Sequence, residues 1–262
     1  MATSLSTSAA HDLDGGGSWE GRVALVTGGG SGIGRATALM LAGRGAGVLV
    51  TGRRREALEL TAAMRPGIAI VPGDISRPAD AARIIGEALE VRGRLDVLVN
   101  NAGVLAPMPL GAVEQEAAEA LWAVNALGPV LLVQAGLSAL GQACGAVVNV
   151  SSSFAQKPGA GVSLYAASEG ALESLTRIWA VELGGRGIRV NAVAPGPTDT
   201  EALERAGRSA QEIEQIKDRD RHQIPLGRRG EPEHVAAGSL RSPTHRQVGS
   251  PARSSASTAA SP

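Results

Sequence analysis

Two clusters in this 262-residue chain have the residue types and spacing to hold phosphate. The first is the run TGGGSGIG, residues 27–34, with glycines at Gly28, Gly32 and Gly34. In a strand-to-helix turn the first glycine permits the tight bend. The second lets backbone approach a pyrophosphate, and the third lets the helix pack on the strand. The helix start then points free N–H groups at the anion. A glycine run alone is also a plain flexible turn; its place between an apolar strand and an apolar helix is what favours the cradle. The second cluster is Arg53, Arg54 and Arg55, which end the segment VTGRRR. A carboxylate there would bind ribose hydroxyls and favour NAD(H). Arginines suit a 2′-phosphate and favour NADP(H). The other reading of these arginines is the solvated start of the next helix.

Alternating strands and helices must position these clusters. Short apolar runs over 23–27, 47–51, 68–71, 95–99, 146–150 and 188–192 read as buried parallel strands. Helical periodicity fills 32–44, 78–91, 113–140 and 163–184, and 198–221 reads as a charged helix within a lid over 198–224. Such alternation implies right-handed crossovers and one α/β domain with a doubly wound parallel sheet, a Rossmann fold. Residues 1–18, small, polar and glycine-rich, read as a flexible tail, and the domain as 19–237.

Composition narrows the function classes. Lys+Arg and Asp+Glu are both 25, so phosphate attraction gives no reason to expect a nucleic-acid partner. Cys144 is the single cysteine, which excludes an internal disulfide and fits a reducing cytoplasm. His11, His222, His234 and His245 lack ligand spacing, so no metal is expected. The apolar runs read as too short to span a bilayer, and the N-terminal residues do not read as a signal peptide.

Across roughly residues 20–237 the chain resembles the classical short-chain dehydrogenase/reductases. The resemblance rests on TGGGSGIG, on Asp74 in VPGDIS, on Asn100-Asn101-Ala102-Gly103, on Asn125 in WAVNALG, on Ser152 thirteen residues before Tyr165, and on Pro195-Gly196. It implies a cofactor site made of Gly28, Ser31, Gly32, Ile33, Gly34, Arg53, Asp74, Ile75, Asn101, Ala102, Gly103, Tyr165, Pro195, Gly196 and Thr198. It implies a catalytic set of Asn125, Ser152 and Tyr165, with position 169 as the fourth member. The substrate implied is a small alcohol or ketone, and a homo-oligomer is implied as well. In the family the tyrosine is the general acid or base, the serine holds the substrate oxygen, and the asparagine holds a proton-relay water through its backbone. Tyr165 is the only tyrosine in the chain.

A free tyrosine has a pKa near 10, too high for efficient proton transfer at neutral pH. The family lowers it with a lysine four residues on, one helical turn away on the same face. Here that residue is Glu169. A like charge raises the tyrosine pKa instead. The expectation is an oxidoreductase with impaired activity. The alternatives are a non-catalytic cofactor-binding or interaction protein, and a poorly folding product of a damaged gene.

From residue 238 the chain reads GSLRSPTHRQVGSPARSSASTAASP, which by composition is disordered. The family's last strand pattern, V-T-G followed by V-D-G-G, is absent. Degenerate codons read out of frame permit Val-Thr-Gly over 250–252, Val-Asp-Gly-Gly over 257–260 and Asp-Ala-Ser over 244–246. This predicts a frameshift near 238–242 and a missing last edge strand, with a weakened oligomer. The other reading is a naturally divergent tail.

Overall fold

The computed structural model describes residues 18–157, 159–244 and 254–255. β1 (Val23–Thr27), β2 (Gly47–Gly52), β3 (Ile68–Pro72), β4 (Val97–Asn100), β5 (Ala146–Val150) and β6 (Arg189–Val193) form one parallel sheet in the order β3-β2-β1-β4-β5-β6. Valine, isoleucine and leucine dominate these strands because both sheet faces are covered by helices, leaving no polar side. Leu25, Leu49, Leu98 and Val147 feed one buried cluster; Ala24, Val48, Val99 and Val148 feed the other.

The flanking helices are α1 (Gly32–Gly43), α2 (Arg55–Ala63), α3 (Pro78–Arg92), α4 (Gln115–Trp122), α5 (Gly128–Gln142) and α6 (Ser163–Glu182). The sheet order reverses between β1 and β4. In open parallel sheets a ligand crevice lies at such a switch point, outside the carboxyl ends of the strands. The glycine-rich turn after β1 and the Asn101-Ala102-Gly103 turn after β4 face each other there.

α4 and α5 run on through a π-helical turn, Ala123–Leu127, which places Asn125 inside. The combined helix Gln115–Gln142 is long and apolar enough to cross a membrane by length and composition. The expectation that no segment reaches that length is corrected here. Polar residues interrupt the apolar runs of the sequence, but a helix tolerates them on its outer face. In the fold, Leu132, Val133 and Leu140 of this helix are core residues.

Past β6, the charged stretch expected as one helix is two: α7 (Ala202–Arg205) and α8 (Ala210–Gln223). Gly207 adopts φ +75° between them. Ser209 then restarts the helix with a capping box, its hydroxyl and the Glu212 carboxylate bonding each other's ends. Arg229 holds this region to the core loop by pairing with Asp220 and with Asp199 at 3.1 Å.

α9 (Pro232–Thr244) corrects the expected boundary at 237. Residues 238–244 are helical, not irregular. Val235, Ala236, Ser239 and Leu240 form a buried stripe at helical spacing, and α9 packs on α1, β5 and β6. Composition hid that stripe among glycine, serine and proline. At the outer edge of β6, Ser254–Ser255 pairs in parallel with Ala192 and Val193 as a two-residue β7. A stub thus stands where the last edge strand was expected to be missing. The remaining residues of the proposed frameshifted segment, and 1–17, lie outside the described residues.

Candidate active site

The turns at the carboxyl ends of the strands enclose an open cleft of about 490 Å³. Of the residues expected in the cofactor site, Gly28, Ser31, Gly32, Ile33, Arg53, Asp74, Ile75, Asn101, Ala102, Gly103 and Tyr165 line it. Gly34 lies buried behind the wall. Its role is close approach: a Cβ there would stand 2.4 Å from the Gly28 carbonyl oxygen. Gly28 takes φ +65°, and a Cβ on it would lie 3.0 Å from the Ala102 Cα. The two turns therefore meet backbone to backbone, and only glycine fits.

Hydrogen bonds fix that meeting. The Thr27 hydroxyl accepts from the Asn101 and Ala102 amides, both at 2.9 Å. Asn101 Nδ2 donates to the Thr27 carbonyl at 2.9 Å. Asn100 Nδ2 donates to Asn149 Oδ1 at 2.9 Å, and Asn149 Nδ2 donates to Thr176 Oγ1 at 2.8 Å. This buried amide chain ties β4 and β5 to α6, the helix that carries Tyr165. Asp74 Oδ1 accepts from the Ser76 amide and hydroxyl, so the residue shapes its own turn while facing the cleft.

The expected catalytic residues converge at one end. Ser152 ends the β5 loop, buried, with Oγ accepting from the Phe154 amide at 3.2 Å. Tyr165 sits in the first turn of α6, edge to face with Phe154. Burial is the main cause that pushes its pKa above the ordinary tyrosine value. Glu169 adds to the shift, and a hydrogen bond with Ser152 opposes it. Asn125 Oδ1 accepts from the Val104 amide at 2.8 Å. Its Nδ2 donates to the Val104 carbonyl at 3.1 Å and lies 3.2 Å from both Ser168 Oγ and Glu169 Oε1.

Glu169 is 4% exposed and faces the cleft. Its carboxyl is pushed up to about 8, chiefly by burial and then by Glu173, while the Asn125 hydrogen bond pulls it down. Near neutral pH it is therefore mostly a neutral acid. Glu173, one turn further on, accepts from Ser151 Oγ at 3.3 Å and from Gln156 Nε2 at 3.3 Å.

Some expected residues stand off the wall. Pro195 and Gly196 shape the loop from behind; the Pro195 carbonyl accepts from the Ser153 amide at 2.9 Å. Thr198 turns its hydroxyl onto the Gly196 carbonyl at 3.0 Å, and Thr200 lines the cleft in its place. Sequence reasoning missed Thr200, Ala202 and Arg205, which come from the lid. Only the chain fold brings that segment over residues 28–34. Arg54, named with Arg53 in the arginine cluster of the sequence, lines the cleft beside it.

A Rossmann sheet with a glycine cradle at its switch point, and a tyrosine and serine beyond it, defines a dinucleotide-dependent oxidoreductase. Comparison with known proteins agrees. The family profile described as enoyl-(acyl carrier protein) reductase matches residues 28–241. The 3-oxoacyl-(acyl-carrier-protein) reductase of Thermotoga maritima is 36% identical over 225 residues, covering 83% of this chain and 88% of its own. Bovine L-xylulose reductase is 38% identical over 218 residues, covering 82% and 86%. A 3-ketoacyl-(acyl-carrier-protein) reductase of Brucella melitensis complexed with NADH superposes with TM-score 0.78 at 31% identity, covering 84% and 90%. A Caenorhabditis elegans short-chain dehydrogenase/reductase solved with cofactor gives TM-score 0.80 at 30% identity, covering 85% and 88%. The chain belongs to the short-chain dehydrogenase/reductase family and is an NAD(P)-dependent oxidoreductase of it.

Proposed function

We propose that the chain reduces a small ketone to an alcohol with NADPH, and that Glu169 holds its turnover low. The observation that carries this reading is the placement of Tyr165. It lines the same cleft as the glycine turn and lies within hydrogen-bonding reach of Ser152. A bound nicotinamide supplies or accepts hydride. The chain's own residues handle the proton and the substrate oxygen. Ser152 holds that oxygen, and the Tyr165 hydroxyl gives it a proton.

A raised tyrosine pKa treats the two directions unequally. Reduction needs the protonated hydroxyl, which is the dominant form. Oxidation needs tyrosinate, which burial and Glu169 both make scarce. The raised pKa also makes the hydroxyl a weaker acid, so reduction is slowed while oxidation is disfavoured more strongly.

NADP(H) is favoured because Arg53 and Arg54 line the cleft and neither makes an ion pair among the described residues. A 2′-phosphate would supply the missing counter-charge. Gly32, in the cleft wall at φ +48°, allows the close backbone approach that a diphosphate needs. The single, exposed Cys144 supports a reducing cytoplasm. The apolar outer faces of α4 to α6 support a homo-oligomer. The family profile stops at residue 241, which supports a change of reading frame close to 238–242; resequencing the gene across those codons checks it.

The test is NADPH-dependent turnover on a panel of small ketones. Glu169→Lys puts a positive charge beside Tyr165 in place of a mostly neutral acid, which lowers a pKa by about 1–3 units, so turnover should rise roughly tenfold or more. Tyr165→Phe in that background should abolish it. A parent chain as fast as the lysine variant would refute the role given to Glu169. No turnover in either, with NADPH bound, would favour a non-catalytic cofactor-binding protein.

A further inference from the structure

The cleft collects more positive charge than the arginines after β2 provide. Arg205, on the short lid helix α7, reaches back across 174 residues of chain to hydrogen-bond Ser31 Oγ in the glycine-rich turn. It lines the cleft with Arg53 and Arg54. Arg54 and Arg35 lie close enough to push its pKa down, adding to the larger effect of partial desolvation; Glu201 and Glu204 of its own segment oppose them. Arg35 is occupied: it donates to the Gly30 carbonyl and to Thr61 Oγ1 at 3.2 Å. Glu201 also leans on the turn, its Oε2 standing 3.5 Å from where a Cβ on Gly32 would lie.

Like charges converging on one turn are costly unless an anion joins them. The neighbouring carboxylates sit on the lid helix beside Arg205, so they offset its charge and leave that of Arg53 and Arg54. We propose that Arg205 is a phosphate-binding residue that clamps the lid onto a phosphate of the bound dinucleotide. The proposal rests on the cofactor reading above and adds a group from outside the strand turns. Ser31 is its resting partner. When a phosphate enters, the guanidinium has a charged acceptor within the same reach, and such acceptors bind more strongly than a hydroxyl. The lid segment would thereby close over cofactor-loaded protein and remain looser without it.

Either the 2′-phosphate or the diphosphate could be the acceptor. Calorimetric titration of the full chain with NADPH and with NADH separates them. Arg205→Ala should weaken binding on the order of tenfold to a hundredfold, and Arg205→Lys should recover part of the loss. The cofactor-free melting temperature of each variant should stay near that of the parent, because Arg205 sits exposed at the rim. Loss confined to NADPH assigns the 2′-phosphate, and equal loss with both assigns the diphosphate; either supports the clamp. Unchanged affinity for both cofactors overturns the clamp and leaves the cofactor reading standing. A parent chain that binds neither cofactor overturns both.

Discussion

Glu169 and Glu173 bring two carboxyl groups onto one buried face of α6, and the cost of that arrangement can be read as a pH dependence. In the fold Glu169 titrates near 8, against 4.5 for an ordinary glutamate. Between those values the folded chain binds a proton that the unfolded chain has released. The contribution is fully present below about pH 4.5 and is lost as pH rises through 8. Its size is on the order of a few kcal/mol. Glu169→Gln keeps the shape and removes the titration. Melts at pH 5 and pH 9 should show the parent losing stability relative to the glutamine variant; parallel pH profiles would mean that Glu169 is charged in the fold. Most of this site was legible in the sequence, since the glycine run, Asp74, Asn101, Ser152 and Tyr165 carry a family spacing. The neutral state of Glu169 was not legible. It depends on burial and on Glu173, and neither is visible from the identity of residue 169.

At the scale of elements, strands were easier to read than helix ends. A run such as VALVT in β1 has one reading when both sheet faces are covered. α9 was harder: its polar and proline-containing last turns share the composition of the sequence after residue 244. Its buried stripe ends on Leu240, which is 2% exposed and packs in the cluster containing Ala24, Val48 and Leu41. Leu240→Ala should cost about 2–5 kcal/mol, read from denaturant melts. A change below about 0.5 kcal/mol, the size typical of surface substitutions, would show that the helix does not dock there. The lid escaped sequence reading for another reason. Nothing local says that Arg205 meets Ser31; the β6 crossover decides it.

At the scale of the whole molecule, the helices opposite the core bear apolar residues that no described residue covers. Val181 is 79% exposed, Ile178 49% and Leu127 47%. We expect these exposed apolar residues to form a contact surface. A second copy is the simplest occupant, since a symmetric pair buries the same face twice. Light scattering after size exclusion should give a dimer or larger. Val181→Asp with Ile178→Asp should shift it toward monomer. A parent chain that is monomeric at micromolar concentration would refute this.

The π-helical turn at Ala123–Leu127 acts as a phase shifter. Each residue advances an α-helix by about 100°, and a π turn accommodates one extra residue without breaking the rod. Side chains after the turn are therefore rotated relative to those before it, as if two separate helices had been joined out of step. The first segment can present Trp122 outward while the second turns Leu132 and Val133 to the core. Between them Asn125 points inward, where it bonds Val104. Removing a single residue from this stretch would bring the two segments back into step, at the expense of either the Asn125 contacts or the core packing of α5. One local irregularity thus keeps the timing between the Asn125 end of the cleft and the hydrophobic centre.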